Sequence, residues 1–295
     1  MSTTAPCLLP PVSRRLQWVS AVDPASNDQI DTLQERMVEF YARSASYYGD
    51  IDFTAGAWKT DPVYLDLAAR LESTRGEVLE VGCGAANILL SSLTLHPRST
   101  GCDFSEALLE KNRSRFAGPR FRVLETAQTL PFDDGQFDAV FSVYVLEHKL
   151  RPAVFLDECV RMLRPGGLFI LRCPHYLAPG RMTSQRAGLS YGTGRQKLAH
   201  GRLWDALLTA YDRKISIPSR CAQLRRQIAN RWGFWINLAP VCFTDAFAPD
   251  HDAVYLTYET EIRNYLGRRI VFDASVARYA DPDAIYLVGT RSHTV

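Results

Sequence analysis

The chain lacks several features that would mark a membrane-spanning or exported protein. Its 295 residues contain no apolar run close to the roughly 18 residues that span a bilayer. The N-terminal region has no basic stretch followed by a long apolar core, so we expect no secretory signal. There is also no internal repeat and no low-complexity tract, which excludes solenoid folds. A globular protein of the cytoplasm is the class that we expect.

Cysteine is scarce and scattered. The seven cysteines are odd in number and include no Cys-x-x-Cys pair. A disulfide framework usually has an even number of cysteines, and zinc sites usually contain closely spaced pairs. We therefore expect reduced thiols and no metal site, as is usual in the cytoplasm.

A strong net charge is also missing, since 34 basic and 32 acidic residues leave the chain at only +2. The charges are nevertheless unevenly placed along the chain. Residues 172–231 contain twelve Lys or Arg and two acidic residues, a net charge of +10, so the remaining residues carry −8. This segregation favours an anionic partner, or else a solvated segment whose charge is balanced by acidic neighbours in the fold.

What the sequence does contain is an alternation of apolar strands and amphipathic helices. Strands and helices that alternate with short connections predict a parallel sheet with helices on both faces. An irregular arm at 1–28 and a helical region at 29–74 precede this α/β core, which covers 75–173. We expect strands at 77–82, 98–103, 120–125, 137–142 and 167–173, and helices at 30–41, 62–71, 86–94, 105–116 and 152–163.

The alternation stops after Cys173. Residues 174–252 lack strand patterning and are rich in basic and aromatic residues, so we interpret them as a largely helical insertion. The alternation resumes in 253–295, which we expect to complete the sheet. The elements expected in these two regions are helices near 197–212, 219–231 and 257–266, and strands near 268–276 and 284–290.

The segment from Gly76 to Asn87 has the form of a buried strand that ends in a glycine-rich turn. The strand contains Glu80 among apolar residues, and Gly82 and Gly84 follow it. Glycines let the backbone approach a ligand that a Cβ atom would push away. A turn of this kind places the ligand beside the start of the next helix. On its own the pattern indicates a nucleoside-containing cofactor, with NAD as one alternative.

Three further blocks carry a resemblance to a known family. Gly101–Ser105 ends the second strand in an aspartate, Leu130–Val140 contains Leu-Pro-Phe-Asp, and Leu163–Gly167 contains Arg-Pro-Gly-Gly. Together with the glycine turn, and in this order, these blocks resemble the class I S-adenosylmethionine (SAM)-dependent methyltransferases. The resemblance implies a Rossmann-like seven-stranded sheet, mostly parallel with an antiparallel last strand and with helices on both faces. It also implies SAM as the cofactor.

The resemblance further implies roles for residues of the cofactor site. The carboxylate of Glu80 is expected to orient the loop and the ammonium group of SAM, and the oxygens of Asp103 to accept both ribose hydroxyls. Gly82 and Gly84 are expected to approach the methionine portion. Tyr48 is expected to close over SAM, or else to be a core aromatic residue of an N-terminal helix. The full set expected to bind the cofactor is Glu80, Gly82, Cys83, Gly84, Asp103, Phe104, Thr126, Ala127, Ser142 and Tyr48.

Two positions depart from the pattern of the family. Ala86 stands where the family has its third loop glycine, and alanine is a small substitute. Thr126 stands where the family usually has the acid that receives the adenine amino group. We therefore expect adenine to bond to the Thr126 hydroxyl, to a shifted Glu125 or to the backbone at Ala127.

Methyl transfer from a sulfonium is an in-line displacement in which the leaving thioether needs no protonation. Proximity and orientation can therefore supply most of the catalysis, and a base is needed only for a protonated acceptor. The candidates follow the fourth and fifth strands, where they are expected at the carboxyl edge of the sheet. They are Tyr144 and His148 after the fourth strand and His175 after the fifth. For His148 the alternative is a structural histidine at the start of a helix.

The insertion is expected to supply the acceptor pocket, as insertions after the fifth strand commonly do in this family. We expect a small-molecule acceptor with a carboxylate or phosphate, bound by some of Arg181, Arg186, Arg195 and Lys197. Three alternatives stay open. The insertion could contact nucleic acid, although no RNA-binding module is appended. It could instead form a membrane-surface lid through the amphipathic stretch Leu203–Leu208. Finally, the chain could bind SAM without transferring its methyl group.

Overall fold

The structure of the chain is a computed structural model. None of the helices that it describes is both long and apolar enough to cross a membrane. The residues described are 16–19, 28–43, 60–89, 92, 94–115, 117–125, 129–178, 194–228, 233–238, 240, 252–279 and 281–293.

These residues alternate between strands and helices along the chain. The strands are β1 (Leu16–Val19), β2 (Val78–Val81), β3 (Ser99–Asp103), β4 (Arg120–Val123), β5 (Phe137–Val143), β6 (Leu163–Pro174), β7 (Phe234–Asn237), β8 (Ile270–Phe272) and β9 (Ala284–Arg291). The α-helices are α1 (Asp28–Arg43), α2 (Pro62–Ser73), α3 (Glu106–Arg115), α4 (Pro152–Met162), α5 (Gly194–Ala199), α6 (Leu203–Tyr211), α7 (Ile217–Ile228) and α8 (Glu259–Leu266).

Seven of the strands form the main sheet, in the order β4-β3-β2-β5-β6-β9-β8. Neighbouring strands are parallel except at β9, which runs antiparallel to both β6 and β8. The parallel strands all end at the same edge of the sheet, called here the carboxyl edge. The predicted fold, a mostly parallel sheet with an antiparallel last strand, is confirmed.

Helices cover both faces of this sheet. On one face Leu79, Val140 and Leu171 pack in one cluster with buried residues of α1, α4 and α8. On the other face Phe141 and Ile170 pack with buried residues of α2 and α3. β2 and β3 are buried along their whole length, as expected for parallel strands that are covered on both sides.

The start of α2 lies over the carboxyl edge. Asp61 precedes Pro62, and its Oδ1 accepts a hydrogen bond from the Val63 amide at 2.8 Å. Proline suits the first helical position because its missing N–H would have no partner there. The other oxygen of Asp61 accepts a bond from Arg172 near the end of β6. The helix start is thereby tied to the end of a strand.

The insertion after β6 has a small core of its own. In its described part, residues 194–228, the chain forms α5, α6, a π turn and α7. Ile217 and Leu224 of α7 pack with Tyr176 after β6 and with Trp235 of β7. Residues 194–228 of the predicted insertion are thus helical, and much of the rest of 174–252 lies outside the described residues.

Two short strands contradict the predictions. β1 lies in 1–28, which we expected to be irregular, and β7 lies in 174–252, which we expected to lack strands; the two pair antiparallel as a second, two-stranded sheet. Strands of four residues are too short to show a clear period. The residues of β7 are also all buried, so the strand lacks the alternation of a half-exposed one. Its partner lies far away along the chain, where only the tertiary fold brings it close.

The prediction of a helix at 86–94 is also wrong, since the described residues of that range form no α-helix. Turns follow the glycine loop, and Ala86 has a φ of +52°. This is a left-handed conformation, which a right-handed helix does not contain. A 3₁₀ turn at His96–Arg98 then leads into β3.

Two other elements differ from their predicted bounds. The single helix expected at 197–212 is divided into α5 and α6, and Gly201 lies in the turn between them. The strand expected at 268–276 ends at Phe272. The carboxylate of Asp273 accepts a backbone hydrogen bond two residues on, and this bond turns the chain into a 3₁₀ segment.

Truncation of a buried residue tests the packing of α1 on the sheet. Met37 is 0% exposed in the core. Met37→Ala leaves a cavity, so we expect the free energy of unfolding to fall by about 2–5 kcal/mol. The matched control Glu39→Ala removes an exposed side chain of the same helix and should change it by less than about 0.5 kcal/mol. Chemical denaturation followed by circular dichroism measures both. If Met37→Ala lowered the free energy of unfolding no more than Glu39→Ala does, the packing of α1 on the sheet would be contradicted.

Candidate active site

The glycine loop leaves β2 in a left-handed conformation. Gly82 has a φ of +72° and Gly84 a φ of +49°. A Cβ atom on Gly82 would collide with the side chain of Val145, which follows β5. Glycine is therefore required at position 82 both by the backbone conformation and by this contact within the protein.

Asp103, at the end of β3, holds the loop in place. Its Oδ2 accepts a hydrogen bond from the Gly84 amide at 2.9 Å, and its Oδ1 accepts one from the Ser105 amide at 3.2 Å. Asn112 of α3 donates from its Nδ2 to the Gly84 carbonyl at 2.8 Å. Sequence reasoning missed Asn112, since helical spacing does not show which residue faces a loop. Phe104 follows Asp103, and the Lys149 ammonium lies 5.3 Å from the centroid of its ring.

Glu80 is the most unusual charged group of the site. It lies within β2, is 4% exposed, and its Oε2 has no hydrogen-bond partner among the described residues. Burial raises the pKa of this carboxyl group well above its ordinary value, and the negative charge of Asp103 adds to the effect. A buried carboxylate oxygen without a partner is costly. A ligand that brings a positive charge would remove this cost.

Two further residues of the predicted cofactor set support the backbone. The Ser142 hydroxyl on β5 donates to the Val81 carbonyl at 2.9 Å and so joins two strand ends. Cys83 is buried, and its side chain lies against Gly101 of β3. Burial raises the pKa of the Cys83 thiol well above its ordinary value, so the group stays protonated. Three residues of the set, Tyr48, Thr126 and Ala127, lie outside the described residues.

Tyr144 lies directly after β5 in a strained conformation. Its φ of +55° is rare for a residue other than glycine, and such strain is concentrated at functional sites. The Tyr144 hydroxyl accepts a hydrogen bond from Arg172 Nε at 3.2 Å, and its amide donates to the Arg172 carbonyl at 2.8 Å. Burial raises the pKa of the phenol, against the opposing effect of the Arg172 charge.

Arg172 connects Tyr144 to α2, a link that sequence reasoning missed. Its Nη2 donates to Asp61 Oδ2 at 3.1 Å, and its guanidinium carbon lies 4.4 Å from the centroid of the Tyr64 ring. Burial raises the pKa of the Tyr64 phenol. The sequence shows Arg172 only as one basic residue among many. Its partners come from a separate helix and a separate strand.

His148 lies in a 3₁₀ turn where three parts of the chain meet. Its Nδ1 is 3.3 Å from Asp252 Oδ2, which also accepts a hydrogen bond from the Tyr41 hydroxyl at 2.6 Å. The His148 and Tyr41 rings pack edge to face with centroids 5.9 Å apart. The carboxylate of Asp252 therefore holds Tyr41 by a hydrogen bond and lies close to the His148 ring.

His175 follows β6 and lies beside other partners. Its ring centroid is 5.6 Å from that of Tyr258, and its Nε2 has no hydrogen-bond partner among the described residues. Burial lowers the pKa of the imidazole, and Arg225 of α7 lowers it further, while Glu259 opposes the shift. His175 thus faces the insertion and α8, whereas Tyr144 joins the group around Arg172.

The basic residues expected to bind the acceptor fall into two sets. Arg181 and Arg186 lie outside the described residues. Arg195 and Lys197 lie on α5, where Arg195 is exposed and Lys197 Nζ donates to the Thr209 hydroxyl of α6 at 2.6 Å. Lys197 therefore helps to join two helices of the insertion.

Similarity to known proteins is concentrated in the α/β core. The profile of a methyltransferase domain matches residues 79–171. A probable SAM-dependent methyltransferase of Mycolicibacterium smegmatis is 36% identical over 123 residues, which cover 41% of this chain and 47% of that protein. The phthiotriol/phenolphthiotriol dimycocerosates methyltransferase of Mycobacterium tuberculosis is 40% identical over 111 residues, which cover 36% and 41% of the two chains.

A third relative is the demethylmenaquinone methyltransferase of Clavibacter sepedonicus, which is 38% identical over 95 residues that cover 32% of this chain and 38% of the relative. The chain spans less than half the length of each of these relatives. The matched region contains the glycine loop, Asp103, the Leu-Pro-Phe-Asp block, the whole of β3, β4 and β5, and most of β2 and β6. Residues 79–171 therefore form a methyltransferase domain, and the similar proteins described above include a probable SAM-dependent methyltransferase.

Proposed function

We propose that the whole chain transfers a methyl group from SAM to a small-molecule acceptor. The observation that carries this proposal is the buried carboxylate of Glu80, with one oxygen unpartnered among the described residues. An ammonium group complements such an oxygen, and the methionyl end of SAM supplies one. Asp103 ends β3 beside the glycine loop that it holds, and we propose that its carboxylate also accepts the ribose hydroxyls of the same ligand.

The chemistry places few demands on the protein beyond alignment. SAM, when bound, supplies a methyl group on a positively charged sulfur. The residues of the chain hold the two reactants in line, and such orientation can account for ~7 kcal/mol or more of the barrier. Tyr144 suits a positioning role, because its protonated phenol can donate a hydrogen bond while Arg172 holds the oxygen.

An acceptor hydroxyl would also need a general base, and we propose His148 for this role. The nearby carboxylate of Asp252 orients the imidazole and stabilises the ring after it takes a proton. His175 is the alternative. Its lowered pKa keeps the ring neutral and able to accept a proton near neutral pH.

The acceptor is proposed to carry a negative charge. Residues 194–228 of the insertion include eight basic and two acidic residues, a net charge of +6. Exposed cations such as Arg195 attract an anionic ligand over distances of about a Debye length, ~8 Å at physiological salt. A carboxylate or phosphate on the acceptor suits this charge.

A second candidate is an acceptor held at a membrane surface, and the exposed face of α6 favours it. Trp204 is 78% exposed, and the other apolar residues of this face are at least half exposed. A contiguous exposed apolar patch usually marks an interaction site. Beside the basic charge of the insertion, such a face suits the interface of an anionic bilayer. The residues of the face are Leu203, Trp204, Leu207, Leu208 and Tyr211, with Leu198 and Ile215 nearby.

Transfer of a labelled methyl group tests the proposed activity. The full chain is incubated with methyl-labelled SAM and a small-molecule extract. We expect the label in a fraction that binds to an anion-exchange resin. Asp103→Ala removes the carboxylate that holds the loop and is expected to lower the transfer at least about 10-fold. Label in RNA or protein would contradict a small-molecule acceptor. SAM binding without any transfer would favour a non-methylating role.

The pH dependence of stability tests the state of Glu80. Its pKa is raised in the folded protein, so the folded state holds more protons than the unfolded state above the unfolded pKa. Stability is therefore lost as the pH rises toward the folded pKa. Without ligand, Glu80→Gln should be more stable than wild type at pH 8, by on the order of 1–3 kcal/mol, with a smaller difference at pH 5.

The exposed Glu72, near the end of α2, is the matched control for this comparison. Glu72→Gln should change the free energy of unfolding by less than about 0.5 kcal/mol at either pH. Thermal and urea unfolding at several pH values provide the measurement. A Glu80→Gln variant that is less stable than wild type at pH 8 would contradict an unpaired, buried carboxylate.

Vesicle sedimentation tests the membrane candidate. We expect the protein to sediment with vesicles that contain phosphatidylglycerol, less with pure phosphatidylcholine, and less at high salt. Leu207→Glu should reduce the bound fraction severalfold, because it places a charge in the apolar face. Val271→Glu, at an exposed apolar residue of β8, is the control. Equal binding by the two variants would rule out α6 as the contact.

A further inference from the structure

A buried guanidinium at the carboxyl edge has one donor without a partner in the described part of the chain. Arg172 is 6% exposed, and its Nε and Nη2 bind Tyr144 and Asp61. Its Nη1 has no hydrogen-bond partner among the described residues. A charged donor that is buried without a partner is costly, which makes an anionic ligand favourable at this position.

The side chains of Arg172 and Glu80 lie on the same face of the sheet. Glu80 is opposite Phe141 on β5, and Phe141 is opposite Ile170 on β6. Arg172 follows Ile170 by two residues, and residues two apart on a strand share a face. Two strand spacings and two residues of rise separate the Cα atoms of Glu80 and Arg172 by ~12 Å. An α-amino-acid group fits between side chains of this length.

Tyr64 of α2 lies beside the positive charge. Its ring stacks on the Arg172 guanidinium, with 4.4 Å from the guanidinium carbon to the ring centroid. Burial, Tyr144, Asp61 and Glu80 raise the pKa of the Tyr64 phenol, and Arg172 lowers it. Glu80 and Arg172 form no ion pair with each other within the described part of the chain. The charges of Glu80 and Arg172 therefore lie on the same face of the sheet without direct contact.

We propose that Arg172 binds the carboxylate of the methionyl group of SAM while Glu80 binds its ammonium group. An α-amino acid carries these two charges on one carbon, so a buried anion and a buried cation with free polar atoms are its complement. Asp61, Tyr144 and the Tyr64 ring hold the guanidinium in place, and its Nη1 donates to a carboxylate oxygen. The inference rests on the proposed function, because it takes SAM as the ligand.

Two ligands separate the carboxylate from the rest of the cofactor. S-Adenosylhomocysteine has the full amino-acid end, and S-adenosyl-3-thiopropylamine lacks only the carboxylate. In calorimetric titrations of the full chain, we expect Arg172→Met to weaken binding of the first ligand by roughly 10- to 100-fold and to change the second by less than about twofold. Arg172→Lys keeps the charge but lacks the planar guanidinium, so we expect a smaller loss of affinity for S-adenosylhomocysteine and again little change for the second ligand. If Arg172→Met does not fold, Arg172→Lys provides the test.

Arg269→Met is the matched control. Arg269 also stacks on a tyrosine, at 4.9 Å from the Tyr265 centroid, and binds Asp157 at 2.6 Å. It precedes β8 at the opposite edge of the sheet, so its loss should leave both affinities unchanged.

Three results would overturn the assignment of Arg172. Equal losses for the two ligands would mean that the residue does not act through the carboxylate. Unchanged binding of both ligands in a variant with a cooperative unfolding transition would mean that Arg172 is structural. Failure of the wild-type chain to bind either ligand would overturn the proposed function as well, and is distinct from the other two.

Discussion

The burial of charge at the carboxyl edge of a parallel sheet is the constraint on which the rest of the site depends. Parallel strands covered on both faces end side by side, so the polar residues at their ends converge under the helices that cover them. Asp103 satisfies its oxygens with backbone amides of the loop and of the start of α3. The conformation of the glycine loop follows from those bonds.

The same constraint applies to Glu80 and Arg172, which are buried side chains of opposite charge. Each is buried, and each keeps one polar atom without a partner among the described residues. A direct ion pair between them would offset the cost of burying both charges, but they lie two strands apart, and Tyr64 stacks on Arg172. Both charges are therefore buried at the expense of stability, and the strained backbone of Tyr144 lies beside Arg172.

The fold was largely predictable from the sequence, because the central strands are apolar runs between helices of clear period. The segments that were not predictable are those whose structure depends on distant partners. β1 and β7 are four residues each and are strands because they pair with each other. The prediction of a helix after the glycine loop is wrong for a local reason, since Ala86 takes a left-handed conformation there.

The sequence by itself determined the alternation of strands and helices in the core, the positions of Glu80 and Asp103 near strand ends, and the segregation of positive charge in the insertion. These follow from local patterns of apolar, glycine and charged residues. Only the tertiary structure decided the order of the strands, the bond by which Asn112 holds the loop, the closeness of Asp252 to His148, and the shared face of Arg172 and Glu80. Such contacts join residues far apart in the chain, and their spacing carries no signal until the strands and helices are packed.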